Sequence, residues 1–187
     1  MTPTGERTLE ERIEVLEASF RGRPAQLDTP AKVCLVVFSG DLDKLLAALT
    51  IATGAASMGT EVSLFFTFWA TAALRGESES SGERTVMDRM FARLLPRGTT
   101  ALKLSRMHMG GLGTALIKRR MRDKRLAGCD ELLEMARDLG VSIRVCDMSM
   151  DLMGIRRDDL IDFPGLEPCG VATFMEGALE SAVTLFV

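Results

Sequence analysis

The sequence contains one histidine, His108, and that scarcity narrows its chemistry. A catalytic pair of serine or cysteine with histidine inside one chain would have to use it. There is no serine elbow, and nothing in the local pattern places His108 beside a nucleophile. No G-x-x-x-x-G-K-[ST] loop and no ordered G-x-G-x-x-G fingerprint occurs, so nucleotide binding has no motif behind it. The four cysteines, Cys34, Cys129, Cys146 and Cys169, show no C-x-x-C or other metal-ligand spacing. Basic charge is not in excess either. The 187 residues carry 23 Lys and Arg against 26 Asp and Glu, a net charge of −3. That balance argues against a nucleic-acid partner.

An export signal is also absent from the first thirty residues, which mix acids, arginines and prolines without an apolar run. The expected compartment is the cytoplasm, where the cysteines stay reduced thiols. The most apolar zone, residues 45–74, is interrupted by Gly54, Gly59 and Glu61. Its pieces are too short to cross about 30 Å of hydrocarbon as separate helices. A buried helix followed by a buried strand accounts for it, and no membrane span is expected.

What is present points to one α/β domain preceded by an extension. Thr8 to Glu11 has the form of a capping box. The helix it opens would place Leu9, Ile13, Leu16 and Phe20 on one stripe, and residues 1–31 therefore read as an N-terminal helical extension and linker. From residue 32 the pattern alternates. Residues 32–38 form a continuous apolar run, as in an interior parallel strand, with Cys34 as a core residue. Ser39 to Asp41 is the turn and cap of a helix over 42–58, and a second strand follows at 61–67, which makes a β-α-β unit. Residues 68–74 begin another helical piece, and 76–83 form a polar Ser/Gly/Glu loop. Helical spacing recurs at 86–95, 114–124 and 132–139. Cys129 reads as a helix cap and Cys169 as a loop residue, and either could serve as a resolving thiol, though the sequence does not require one. Strand character returns at 170–174 and 182–187. This alternation indicates a doubly wound, mainly parallel sheet flanked by helices.

The informative stretch is Val141-Ser-Ile-Arg-Val-Cys146-Asp-Met-Ser-Met-Asp-Leu-Met-Gly154. Val141, Ile143 and Val145 alternate with Ser142 and Arg144, the period of a strand. Helix formers follow Cys146 until Gly154 stops them. A thiol at such a junction lies near unpaired backbone N–H groups and the positive end of a helix dipole, which favour the nucleophilic thiolate. The carboxyl ends of strands are also where open α/β sheets bind ligands. Buried structural cysteine is the competing reading. Asp147 counts against a thiolate if its side chain is close.

Three other constellations compete with it. Gly110, Gly111 and Gly113 precede a helix and would present N–H groups to a small oxyanion or a partner's backbone; a tight loop is the simpler reading. Met107, His108, Met109, Cys146, Met148 and Met150 make a set suited to Cu(I), but methionine is more often an adaptable packing residue. The run Lys118-Arg-Arg-Met-Arg-Asp-Lys-Arg125 reads as a solvated helix face, with anion steering as the alternative.

Three segments together resemble the DsrE/DsrF-like family, which includes subunits of sulfur-relay complexes. They are Val36-Val-Phe-Ser-Gly-Asp-Leu-Asp-Lys44, Met107-His-Met-Gly-Gly-Leu-Gly-Thr114 and Val145-Cys-Asp-Met-Ser-Met-Asp-Leu-Met-Gly-Ile155. The resemblance runs over residues 32–187 and is most distinctive in the third segment. It implies a flavodoxin-like parallel sheet, homo- or hetero-oligomers (often trimers or hexamers), and a strand-end cysteine that carries sulfur as a persulfide. That position matches Cys146. Met148, Ser149 and Met150, with His108 and the three glycines, are the accompanying binding candidates. No cofactor or metal motif comes with the match. The expected partners are sulfur donor and acceptor proteins or small thiols. The alternative class is a non-enzymatic oligomeric module that binds a small anion or a protein partner, with Cys146 structural.

Overall fold

The computed structural model describes residues 31–76 and 85–187. The expected helix opened by Thr8, with the rest of residues 1–30, and residues 77–83 of the expected 76–83 loop lie outside the described residues. In chain order the strands are β1 (Lys32–Val37), β2 (Glu61–Phe66), β3 (Ser142–Cys146), β4 (Glu167–Cys169) and β5 (Val183–Phe186). The helices are α1 (Leu42–Ser57), α2 (Val86–Leu94), α3 (Leu112–Asp123), α4 (Cys129–Asp138), α5 (Asp147–Met153) and α6 (Val171–Leu179). A 3₁₀ segment, Phe68–Leu74, follows β2.

All five strands are parallel, in the order β4-β3-β2-β1-β5. The chain steps outward from β1 to β4 and then returns to lay β5 on the other side of β1. The α/β class with a parallel sheet is therefore as expected. α1 joins β1 to β2 across 16 residues, a crossover of helix length.

Strand periodicity divides the sheet into two unlike faces. Leu35 and Val37, Leu64 and Phe66, and Ile143 and Val145 project into the main core, which they share with Leu45, Leu49 and Ala52 of α1 and Leu132 and Ala136 of α4. The other face carries a separate, smaller cluster of Val36, Phe65, Cys146 and Cys169, with Phe174 of α6 packed on it. The Phe65 and Phe174 rings stack with centroids 4.4 Å apart. α6 is a thin cover. None of its residues is buried, and Val171, Met175 and Leu179 are exposed. A cavity of about 240 Å³ separates it from Ser63, Ser142 and Arg144 of the sheet.

Three local expectations are corrected. Residues 170–174 are not a strand: Gly170 is the N-cap of α6, and the strand is the preceding triplet Glu167–Cys169. Val171, Thr173 and Phe174 favour strands, but the apolar run continues as Met175, Ala178 and Leu179 at helical spacing, and the longer period wins. Cys169 consequently lies in β4 and not in a loop. Cys129 is the first residue of α4 and not its cap; Gly128 holds the cap position, with its N–H bonded to Glu131 Oε2 at 3.1 Å. Among the described residues no helix is long and apolar enough to cross a membrane.

Candidate functional site

β3 delivers Cys146 to the start of α5, as the alternating pattern leads one to expect. Cys146 is the N-cap of that helix, with extended backbone angles of −67° and 116°, and its thiol makes no capping hydrogen bond. The Sγ is directed instead into the small cluster beneath α6, and the residue is only 1% exposed. Asp147 stands exposed beside it.

α5 is held at both ends. Ser149 is fully buried, and its hydroxyl shares a 2.9 Å hydrogen bond with Thr67 Oγ1 at the end of β2. Met150 and Met153 enter the main core. Gly154 closes the helix at φ 62°, and a Cβ there would come within 2.9 Å of the backbone and side chain of Asp88. Both facts demand glycine. Asp88 is itself fixed by a reciprocal cap with Thr85 at the start of α2.

Two further residues share the cluster face, Arg144 and Cys169, the latter one of the two candidates for a resolving thiol. Cys169 ends β4 as Cys146 ends β3, and the two are register partners. Burial pushes the Cys169 thiol up, Arg144 offsets part of that, and Asp147, Cys146 and Glu167 add to the rise. Arg144 lies two residues before Cys146, on the same face, and donates to the Thr173 carbonyl of α6 at 3.3 Å. Strand periodicity alone marks Arg144 as a neighbour of Cys146. The strand pairing is what sets Cys169, rather than Cys129, beside Cys146.

The other candidates sit elsewhere. Ser149 and Met150 act as anchors of α5, while Met148 projects into solvent with 54% exposure. His108 Nδ1 lies 3.2 Å from Thr114 Oγ1, and that hydroxyl also accepts from the Leu104 N–H. The glycines shape a sharp reversal before α3. Gly110 and Gly111 have φ of 66° and 101°, and a Cβ on Gly113 would overlap the Met107 carbonyl. The cluster that holds Cys146 consists of Val36, Phe65 and Cys169 with Phe174 and includes none of these loop residues. The soft-metal set is likewise not gathered: Met107, Met109 and Met148 are exposed, Met150 is in the main core, and Cys146 is in the cluster on the opposite face.

A larger cavity, about 530 Å³, opens at the carboxyl end of β1. Ser39, Asp41, Trp69, Arg93, Arg97 and Lys103 line it. Ser39 is tied to Asp41 by a 2.8 Å hydrogen bond, and Gly40 lets the Trp69 carbonyl approach to 2.7 Å of where a Cβ would stand. Cys146 is not part of its lining.

Comparison with known proteins places this geometry. The chain is 38% identical over 156 residues to the uncharacterized protein YrkE of Bacillus subtilis, covering 83% of this chain and 96% of that one. It is 31% identical over 165 residues to a protein of Allochromatium vinosum named sulfur carrier protein DsrE2, covering 83% and 98% respectively. The crystal structure of the ychN protein from E. coli shares the fold, with a TM-score of 0.51 at 16% identity, over 84% of this chain and 99% of that one. The family model described as DsrE/DsrF/DrsH-like matches residues 29–186. The chain belongs to the DsrE/DsrF/DrsH-like family.

Proposed function

We propose that the protein is a cytoplasmic sulfur carrier that moves sulfane sulfur as a persulfide on Cys146. The observation that carries this reading is the placement of Cys146 at the carboxyl end of β3 and the first turn of α5. Membership of the family and 31% identity to a sulfur carrier support a sulfur-relay role. A Cys146 thiolate attacks the outer sulfur of a donor persulfide, the donor thiolate leaves, and the product is the Cys146 persulfide. An acceptor thiol then attacks that outer sulfur and restores Cys146. The free backbone N–H groups of Met148 and Ser149 in the first turn of α5 are the ones that would stabilise the persulfide anion once its outer sulfur turns toward them.

Enclosure suits such cargo, because the apolar cluster of Val36, Phe65 and Phe174 limits contact with water and oxidants. It also requires the cover to move, since a thiol that is 1% exposed is out of reach of a donor. α6 is the element that can yield. Its exposed Val171, Met175 and Leu179, with Leu112 and Leu116 of α3, suit donor or acceptor proteins and a homo-oligomer, a trimer or hexamer. Incubation of the loaded protein with an excess of a small thiol tests the function. Stoichiometric sulfur release that disappears in Cys146→Ser supports it; release that is unchanged in that variant contradicts it.

One observation favours a second reading. Among the described residues Arg93 and Lys103 line the 530 Å³ cavity with one carboxylate, that of Asp41, as a binding module for a small anion would. On that reading Cys146 is structural, and Cys146→Ser leaves anion binding intact while sulfur loading is never observed.

A further inference from the structure

This inference rests on the persulfide reading of Cys146 and extends it to a second thiol. Cys146 and Cys169 are paired in register at the ends of parallel strands. Neighbouring strands run about 4.8 Å apart, and residues in register project to the same face. Both thiols belong to the one cluster with Val36 and Phe65, where Cys146 is 1% and Cys169 9% exposed. That spacing lies inside the range of roughly 4.4–6.8 Å between Cα atoms over which two cysteines can be joined through sulfur. The other two thiols are differently placed. Cys129 lies in the main core on the opposite face, and Cys34 is on β1, separated from β3 by β2.

We propose that Cys169 is the internal acceptor of the sulfur carried by Cys146, passing it from the sheet interior to the edge strand β4. In this step the Cys169 sulfur attacks the outer sulfur of the Cys146 persulfide. A sulfur–sulfur bond forms to Cys169 as the bond from the outer sulfur to Cys146 Sγ breaks, and the Cys169 proton passes to the departing Cys146 sulfur. One persulfide and one thiol give one persulfide and one thiol, so no oxidant or reductant is consumed. The order of events follows from the surroundings. Cys146 is the N-cap of α5, where the helix N–H groups favour its anion, whereas burial pushes the Cys169 thiol up. The neighbouring Cys146 sulfur supplies what a buried thiol lacks, a partner that accepts its proton as the transfer proceeds. Delivery to β4 also moves the cargo outward: β4 is an edge strand and the next residue, Gly170, is exposed.

The test loads the full chain with a limiting amount of inorganic polysulfide, quenches samples over time with an alkylating reagent, and locates added sulfur by peptide mass spectrometry. The wild type is expected to show sulfur first on Cys146 and then on Cys169, with the sum never above one per chain. Cys169→Ser is expected to retain all of it on Cys146, and Cys146→Ser to leave Cys169 unmodified. Sulfur that stays on Cys146 in the wild type and never reaches Cys169 overturns this inference while leaving the carrier function standing. Absence of sulfur from Cys146 contradicts the carrier function itself, and the inference with it. Equally fast labelling of Cys169 in Cys146→Ser overturns the ordered transfer. So does a Cys146–Cys169 disulfide formed with release of hydrosulfide, because that product requires attack on the other sulfur. The wild-type time course decides these outcomes even if a variant folds poorly.

Discussion

Cys146 and Cys169 end neighbouring parallel strands as register partners, and both thiols point into the same small cluster on the sheet face away from the main core. The chain thus separates its two tasks. Stability resides in the large core between the sheet and α1 and α4, while the thiols lie under α6, none of whose residues is buried. An element with few buried contacts opens at a small fraction of the global unfolding free energy.

The cover is therefore expected to govern access. Phe174→Ala removes the ring stacked on Phe65 at 4.4 Å, an interaction worth about 0.5–1.5 kcal/mol beyond its buried area. Alkylation of Cys146 by a small reagent should accelerate roughly two- to tenfold. Rates followed by peptide mass spectrometry check this. An unchanged rate would mean that access follows another route.

The turn after α5 should tolerate only glycine. At Gly154 a side chain meets a φ of 62° and Asp88 at 2.9 Å. Gly154→Ala should destabilise the protein by about 2–4 kcal/mol, from left-handed strain together with overpacking. A urea unfolding curve measures this, and a loss under about 1 kcal/mol would contradict the close approach of α2 and α5.

The glycine loop before α3 should respond unequally. A Cβ on Gly110 meets open space and only the strain of φ 66°, whereas one on Gly113 overlaps the Met107 carbonyl. Gly110→Ala should cost about 1–2 kcal/mol, the strain alone, and Gly113→Ala more. Thermal unfolding of the two variants checks the order. A reversed order would count against the turn geometry.

Alkaline pH should weaken the fold through Cys129. Burial, with a contribution from Asp130, pushes its thiol from an ordinary value of 9.0 up to about 12. The folded chain therefore keeps a proton that the unfolded chain releases, and stability falls as pH rises from about 9 toward 12. Urea midpoints taken across that window should decline in the wild type and decline less in Cys129→Ala. Equal slopes would remove Cys129 as the source.

Much of this arrangement is legible in the sequence because it is local. The alternation of Val141, Ile143 and Val145 with polar residues announces β3, and Gly154 announces the end of α5. The same alternation places Arg144 on the Cys146 face. What was not legible is what depends on distant pairing. β4 has three residues, one of them Pro168, which is tolerated because the strand lies at the sheet edge. Such a triplet carries no periodic signal, and the β-branched residues after it draw attention to the wrong segment. The partnership of Cys169 with Cys146 is a matter of register between segments 23 positions apart in the numbering, and no local pattern encodes it. The glycine cluster was legible as a tight loop, though not in its detail. Its composition suits an anion loop, but Gly113 is needed for the passage of the Met107 carbonyl.

The central claim concerns the cysteine that first holds sulfur, and peptide-resolved mass spectrometry of the full chain, loaded with inorganic polysulfide and quenched at the earliest time point, tests it most directly. The account predicts one added sulfur on Cys146, with Cys34, Cys129 and Cys169 unmodified at that time, and no added sulfur anywhere in Cys146→Ser. Sulfur spread equally over the four cysteines, or retained in Cys146→Ser, would contradict it.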